Sequence, residues 1–311
     1  MKLVFCGTPA FAVPTLRAVV AAGHDVALIL TQPDRAVGRS QELQAPPVKL
    51  AAQELGIPVA QPEKIKTNLE LRAQLEALAP DAILIVAYGR IIPQWMLDLP
   101  THGNINLHGS LLPKYRGAAP IQWAVAEGEA ITGVTTMRID AGLDTGDMLL
   151  AQIVPIAINA TSADLFESLS AVGAKLMVKT LRRLAEGDLS PASQNYALAT
   201  LAPILKREDG LIDFARPARR VYDRWRGFQP WPGAYTTLRG KKLIVPRMSL
   251  TDESSSAAPG TLLVRADQLR VVCAENTVLA LEEVQLEGKR RMTAAEFLRG
   301  FQLKDGEPLG Q

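Results

Sequence analysis

The strongest constraint on this chain is a rhythm. Over residues 1–190, short apolar runs of strand length alternate with longer stretches of helical periodicity. That alternation predicts a Rossmann-like, mostly parallel α/β sheet. Strands are expected at residues 3–6, 26–30, 82–86, 105–108 and 133–139, and helices at 9–22, 45–55, 68–78, 119–127 and 162–185. In such sheets a ligand crevice lies beyond the carboxyl ends of the strands, and His108 stands at one of those ends.

A second pattern follows. Residues 187–203 are less regular, and beyond them the runs become short and separated by turns, at 211–214, 235–238, 243–245, 261–264, 269–273 and 278–281. Helical spacing recurs at 217–226 and 293–299, and residues 254–259 are small and polar enough for a mobile loop. The pattern predicts a small β-barrel of the oligonucleotide-binding (OB-like) type. The expected division is therefore a domain at 1–188, a linker at 189–205 and a barrel domain at 206–311.

Charge divides along the same line. Residues 1–205 carry 16 Lys and Arg against 18 Asp and Glu, whereas residues 206–311 carry 18 against 14. The positive excess lies wholly in the C-terminal third, where a polyanionic partner would be sought. Other classes are disfavoured. The opening MKLVFCGTPAF has too short an apolar run for a signal peptide, and no stretch reaches the ~20 apolar residues of a membrane helix. Two cysteines, Cys6 and Cys273, give no disulfide framework, and His24, His102 and His108 lack zinc-site spacing, so no metal is expected and a reduced cytoplasm is the simplest home. The first turn, Cys6-Gly7-Thr8-Pro9, lacks the G-x-G-x-x-G of a nicotinamide dehydrogenase.

Residues 104–120, NINLHGSLLPKYRGAAP, carry the chemistry. Side chains alternate along a strand, so Asn106 and His108 share one face while Ile105 and Leu107 share the other. An Asn amide can donate to a developing oxyanion and a His can move a proton near neutral pH, which suits attack on a carbonyl-like carbon. Pro113 and Gly117 then shape an irregular loop, and residues 138–147, RIDAGLDTGD, form a second loop whose carboxylates could orient His108. Taken alone, each has a plainer reading: a satisfied polar pair at a strand end, and an ordinary Asp/Gly turn.

Together the motifs say more. N-x-H-x-S-L-L-P-x-x-R-G-x-x-P with a later D-x-G-D resembles the 10-formyltetrahydrofolate-dependent formyltransferases, and the resemblance runs over essentially the whole chain. It implies a catalytic trio of Asn106, His108 and Asp144. It also implies a folate site lined by Ser110, Leu111, Leu112 and Pro113, with Tyr88 and Gly89 beside the pterin. 10-Formyltetrahydrofolate is then the formyl donor, and no metal takes part.

Three further segments bear on the acceptor. TQPDRAVGR at 31–39, LDTGDML at 143–149 and RGFQPWPG at 226–233 resemble the branch of the family that formylates methionyl initiator tRNA. This branch implies a monomer with no membrane association and a tRNA-binding C-terminal domain. Arg39, Lys206, Arg216, Arg220, Arg224, Lys241 and Lys242 are the expected phosphate contacts. Arg216, Arg220 and Arg224 recur at four-residue spacing, which would make one helix face basic, and Lys289, Arg290 and Arg291 form a further cluster. The chain departs from that branch at Ser40, Gln41 and Glu42, at Ile204 and at Leu211, which shifts weight onto Arg39. The alternatives are formylation of a sugar-nucleotide amine by the same core, and a non-catalytic RNA-binding module.

Overall fold

The computed structural model describes residues 1–37 and 42–310, so Arg39, Ser40 and Gln41 lie outside the described residues. The chain forms two compact units, one of residues 1–120, 131–155 and 165–203, the other of 121–130, 156–164 and 204–311.

The strands of the first unit are β1 (Lys2–Gly7), β2 (Asp25–Leu30), the hairpin β3 (Arg35–Val37) and β4 (Glu42–Gln44), β5 (Val59–Ala60), β6 (Ala82–Val86), β7 (Asn104–His108), β8 (Ile131–Arg138) and β9 (Met148–Pro155). The helices of this part of the chain are α1 (Val13–Ala21), α2 (Pro47–Glu54), α3 (Leu69–Leu78), α4 (Gln94–Leu97), α5 (Pro120–Ala126) and α6 (Ser162–Ala185). Seven strands form one sheet in the order β5-β2-β1-β6-β7-β8-β9. The first five are parallel to one another, as the alternating pattern predicts. The last two are not: β8 runs antiparallel to β7, and β9 antiparallel to β8.

What positions the site is the asymmetry of β7. At its start, Asn104 Nδ2 donates to the carbonyls of Met96 and Leu97 at 3.0 Å each, which pins the strand to the end of α4. One face of β7 is then sealed by α6. A Cβ at Gly173 would sit 2.6 Å from Leu107 Cδ2, so the Leu107 side chain fills the space that glycine leaves on the helix. Thr136, opposite Leu107 on β8, meets Thr180 of the helix at 2.8 Å. Asn106 and His108 therefore look the other way.

Residues 189–203 belong to the first unit. Ala192 exchanges both backbone hydrogen bonds with Met148 at 2.9 Å, and Ala202 N donates to the Arg116 carbonyl at 2.7 Å.

The second unit holds α7 (Ala218–Gly227), β10 (Tyr235–Leu238), β11 (Lys241–Ser254), β12 (Leu262–Arg265), β13 (Gln268–Val272), β14 (Thr277–Leu286), β15 (Met292–Thr293) and α8 (Ala294–Gly300). Its antiparallel sheet has the order β10-β11-β14-β13-β12, with β15 on β14. The last residues of the chain tie its two ends together. Leu262 N donates to the Glu307 carbonyl at 2.8 Å, Leu309 N to Gly260 at 2.8 Å, and Gly310 N to Thr237 at 2.9 Å. The sheet is thus closed by an irregular strap, and neither end strand is left as a bare edge. Of the expected strands, 211–214 makes only an isolated bridge from Leu211 to Tyr235. Those at 243–245 and 278–281 extend into β11 and β14, whose register shifts bend them around the core.

The tightness of the seal on β7 is testable. Gly173→Val would force two methyl groups into Leu107, and overpacking of this kind costs about 1–3 kcal/mol. A urea titration should show a lower midpoint at an unchanged slope.

Candidate active site

β7 ends at His108, and a turn of left-handed backbone, Ala87 (φ 48°) to Gly89 (φ 73°), leaves the parallel neighbour β6 at about the same level. The sequence-predicted folate segments flank this point. Ser110 is fully buried and its Oγ donates to the Lys114 carbonyl at 2.6 Å. Thr135, paired with His108 across β7 and β8, donates through Oγ1 to the Ser110 carbonyl at 2.7 Å and accepts from Leu112 N at 3.3 Å. The loop of Ser110, Leu111, Leu112 and Pro113 is therefore folded onto the His108 face. Tyr88 differs, because its ring lies within the core among Val4, Cys6, Leu30 and Ile85. Burial pushes its hydroxyl well above the ordinary tyrosine range, and among the described residues that hydroxyl has no hydrogen-bond partner. The exposed residues of that turn are Ala87 and Gly89.

His108 is only 5% exposed, and each ring nitrogen faces a polar group. Nε2 lies 2.9 Å from the Tyr115 carbonyl. A carbonyl oxygen only accepts, so Nε2 carries a proton and Nδ1 is the nitrogen that can take or release one. Nδ1 faces Asp144 Oδ2 at 3.6 Å. The same oxygen accepts from Gly117 N at 2.8 Å, which fixes the carboxylate. Gly117 has a φ of 125° and a Cβ there would lie 2.6 Å from the Ala202 carbonyl, so no other residue fits the position. Asn106 is partly exposed, and among the described residues its side-chain amide has no partner. The structure thus brings together an uncommitted N–H donor and an imidazole–carboxylate pair, on the one face of β7 that α6 leaves open.

Asp144 arrives by a route the sequence did not suggest. A parallel β8 would present its following loop at the same end of the sheet as His108. Because β8 is antiparallel, its last residue, Arg138, pairs with Ile105, three residues down the strand from His108. At roughly 3.3 Å per residue, the loop of residues 139–147 must climb about 10 Å back to deliver Asp144. Within it Asp140 Oδ1 accepts from Gly142 N at 3.0 Å and from Thr145 Oγ1 at 2.7 Å, and Asp144 itself has a φ of 52°. Sequence reading also passed over Gln194, whose Nε2 donates to the Asp144 and Gly146 carbonyls, each at 2.8 Å. It lies in the irregular stretch that gives no periodic signal.

No group of three or more His, Cys, Asp or Glu residues suited to a metal occurs among the described residues, and none of the described helices is long and apolar enough to cross a membrane. Burial pushes the Cys6 thiol up, and that of Cys273 up to about 12, so both are held as inert thiols.

The basic residues of the second unit fall into distinct settings. Lys206 and Lys241 are exposed. Arg216 precedes α7, with Pro217 between it and the helix, so it does not share the expected face; it pairs instead with Asp213 at 3.1 Å. Arg220 donates to the Glu127 carbonyl at 2.6 Å. Arg224 is half-buried, its guanidinium 4.9 Å from the Phe228 ring and 5.6 Å from that of Trp123, and burial lowers its pKa from the usual value. Lys242 Nζ lies 3.8 Å from the Tyr235 ring. Arg290 and Arg291 pair with Glu296 and Glu283.

Comparison with known proteins places these features. Residues 1–181 match the family described as formyl transferase, and residues 204–302 match the formyl transferase C-terminal domain. Over 310 residues the chain is 62% identical to a methionyl-tRNA formyltransferase of Acidobacterium capsulatum, covering all of both chains. It is 47% identical over 312 residues to one of Geobacter sulfurreducens, covering 100% of this chain and 97% of that one. Among solved structures, an N-formyltransferase from Helicobacter canadensis in complex with folinic acid and dTDP-3-aminofucose shares the fold. It aligns with a TM-score of 0.68 at 20% identity over 90% of this chain and 98% of that one. HypX from Aquifex aeolicus in complex with tetrahydrofolic acid aligns with a TM-score of 0.60 at 17% identity over 96% of this chain and 47% of its own.

The settings of the basic residues separate in a stability measurement. Arg224→Ala removes a stacked, half-buried side chain and should cost about 0.5–2 kcal/mol on thermal or urea unfolding. Lys206→Ala and Lys241→Ala should stay within about 0.5 kcal/mol of the unaltered protein.

Proposed function

The chain belongs to the formyl transferase family, and we propose that Asn106, His108 and Asp144 perform in it the transfer for which its relatives are named. It moves the formyl group of 10-formyltetrahydrofolate to the amino group of methionyl initiator tRNA, the reaction that readies that tRNA to start translation. Identities of 47–62% along the whole chain support this acceptor over a sugar amine. Likeness to sugar N-formyltransferases stands at 20% identity and speaks to the fold. The observation that carries the site assignment is the uncommitted Asn106 amide beside the His108–Asp144 pair.

The donor set fits a formyl amide under attack by an amine. Asn106 Nδ2 donates to the formyl oxygen and holds the negative charge that gathers there in the tetrahedral intermediate. His108 Nδ1 takes the proton that the attacking nitrogen must lose. Asp144 sits where its charge stabilises the protonated imidazole, while the Tyr115 carbonyl keeps the ring from turning. The new bond joins the formyl carbon to the methionyl nitrogen, the bond from that carbon to N10 of the folate breaks, and the proton passes from His108 to N10. No covalent formyl-enzyme is needed, because an oriented amine is already a competent nucleophile. In this reading the segment from Ser110 to Pro113 lines the folate site through its partly exposed Leu111 and Pro113, with Ser110 and Leu112 buried behind them and with Gly89 and the Tyr88 backbone at the other wall.

The second unit supplies tRNA affinity. Exposed Lys206, Lys241 and Arg216 with Arg220 and Lys242 suit phosphate contacts, which position without reading sequence. Arg224 serves chiefly as packing, and Arg39 belongs to the set by resemblance alone. The reading carries with it a monomeric enzyme of the cytoplasm.

A single assay tests both acceptor and site. With 10-formyltetrahydrofolate, methionyl initiator tRNA and an amino-sugar nucleotide in competition, formylmethionyl-tRNA should dominate. Asn106→Ala should lower kcat by about 10²–10³, as loss of an oxyanion donor does. Formyl-sugar as the main product would overturn the acceptor, and near-normal turnover by Asn106→Ala would overturn the role of the amide.

A further inference from the structure

Two buried polar side chains of the first unit have no part in the chemistry above. Arg116 is 6% exposed and Gln194 is 5% exposed. The Arg116 guanidinium reaches the Gln194 Oε1 through Nε at 3.0 Å and Nη2 at 2.7 Å, and lies 4.6 Å from the Tyr196 ring. All of these partners are neutral. Among the described residues this buried cation has no counter-charge, a costly arrangement whose geometry shows what it achieves.

The Gln194 amide is saturated. Oε1 accepts two N–H bonds from Arg116, and Nε2 gives its two protons to the carbonyls of Asp144 and Gly146. Turning the amide over would set NH2 against a guanidinium and an oxygen against two carbonyls, so only one orientation satisfies all four bonds. Arg116 thus dictates which way Gln194 faces, and Gln194 holds the backbone on both sides of Thr145. That backbone needs holding, because Asp144 is a non-glycine residue with a φ of 52°.

Residues 115–117 converge on the same pair. The Tyr115 carbonyl fixes His108, the Arg116 side chain fixes the Asp144 backbone through Gln194, and Gly117 N fixes the Asp144 carboxylate. We propose that Arg116 and Gln194 are positioning residues that set Asp144 against His108 Nδ1. The inference rests on the reading of Asp144 as catalytic. It gives a role to the lone arginine of the K-Y-R-G segment and to a glutamine 78 residues further on.

Gln194→Glu separates the two halves of the clamp. The carboxylate keeps both bonds from Arg116 but replaces the two donors to the loop with an oxygen. Misplacement by about 1 Å can cost on the order of 10²-fold in rate. We therefore expect kcat to fall by about 10–10², with KM for tRNA and for folate little changed and the melting temperature retained. In an Asp144→Ala background the same substitution should cost nothing further, since there is no carboxylate left to place. Arg116→Lys keeps the charge and one bond, and should lie between. Multiplicative losses in the double variant would overturn the proposal, as would a loss confined to KM or loss of fold in both single variants. Full turnover by Asp144→Ala alone would instead remove Asp144 from the mechanism, so the two failures are distinguishable.

Discussion

The contact between Leu107 and Gly173 decides which side of β7 is available for chemistry. Because the Leu107 side chain packs directly onto the helix at Gly173, one face of a five-residue strand is closed to any ligand. Strand alternation then commits Asn106 and His108 to the other face, and the same alternation on β8 sends Thr136 to the helix and Thr135 to the loop that begins at Ser110. A functional group on β7 is thus placed by what lies behind it. Its polar residues sit at the open end of an apolar strand, where Asn106 can stay unpaired at little cost because solvent reaches it.

The His108–Asp144 pair depends on a second constraint, the reversal of the sheet at β8. A parallel strand there would have delivered its loop beside His108 without further structure. The antiparallel one delivers it at the level of Ile105, and the chain climbs back by left-handed backbone, an Asp140-centred turn and the Gln194 clamp. Asp144 is therefore a residue whose position is held by parts far from it in sequence. This accounts for buried polar groups such as Arg116 and Gln194 around the proposed site of Asn106, His108 and Asp144.

Much of this was legible in the sequence and some was not, for physical reasons. β6 and α6 occupy the predicted spans because one is a continuous apolar run and the other a long amphipathic pattern. β7 was legible from its alternation, Ile105 and Leu107 against Asn106 and His108, and its motif carried the resemblance. β9, MLLAQIVP, was not among the expected strands although Gln152 is its only polar residue; its apolar run does not alternate, and only Leu149 of its eight residues is buried. Gln194 escaped because residues 189–203 hold their place by backbone hydrogen bonds to the loops around Arg116 and Met148, which leave no periodic trace. The basic residues of the second unit show the limit of spacing alone. Pro217 ends the reach of α7 before Arg216, and two aromatic rings rather than solvent receive Arg224. The strap at residues 306–310 is invisible too, because it is defined only by the two strands it joins.

As the oxyanion donor of the proposed reaction, the Asn106 amide polarises the formyl carbonyl before the acceptor amine attacks. Isotope-edited infrared spectroscopy of the carbonyl-labelled formyl donor, bound to the enzyme without tRNA, reads that interaction directly. The carbonyl stretching frequency should be lower with the unaltered protein than with Asn106→Ala at equal occupancy. The same frequency in both would mean that the amide does not touch the reacting bond, and would remove Asn106 from that role.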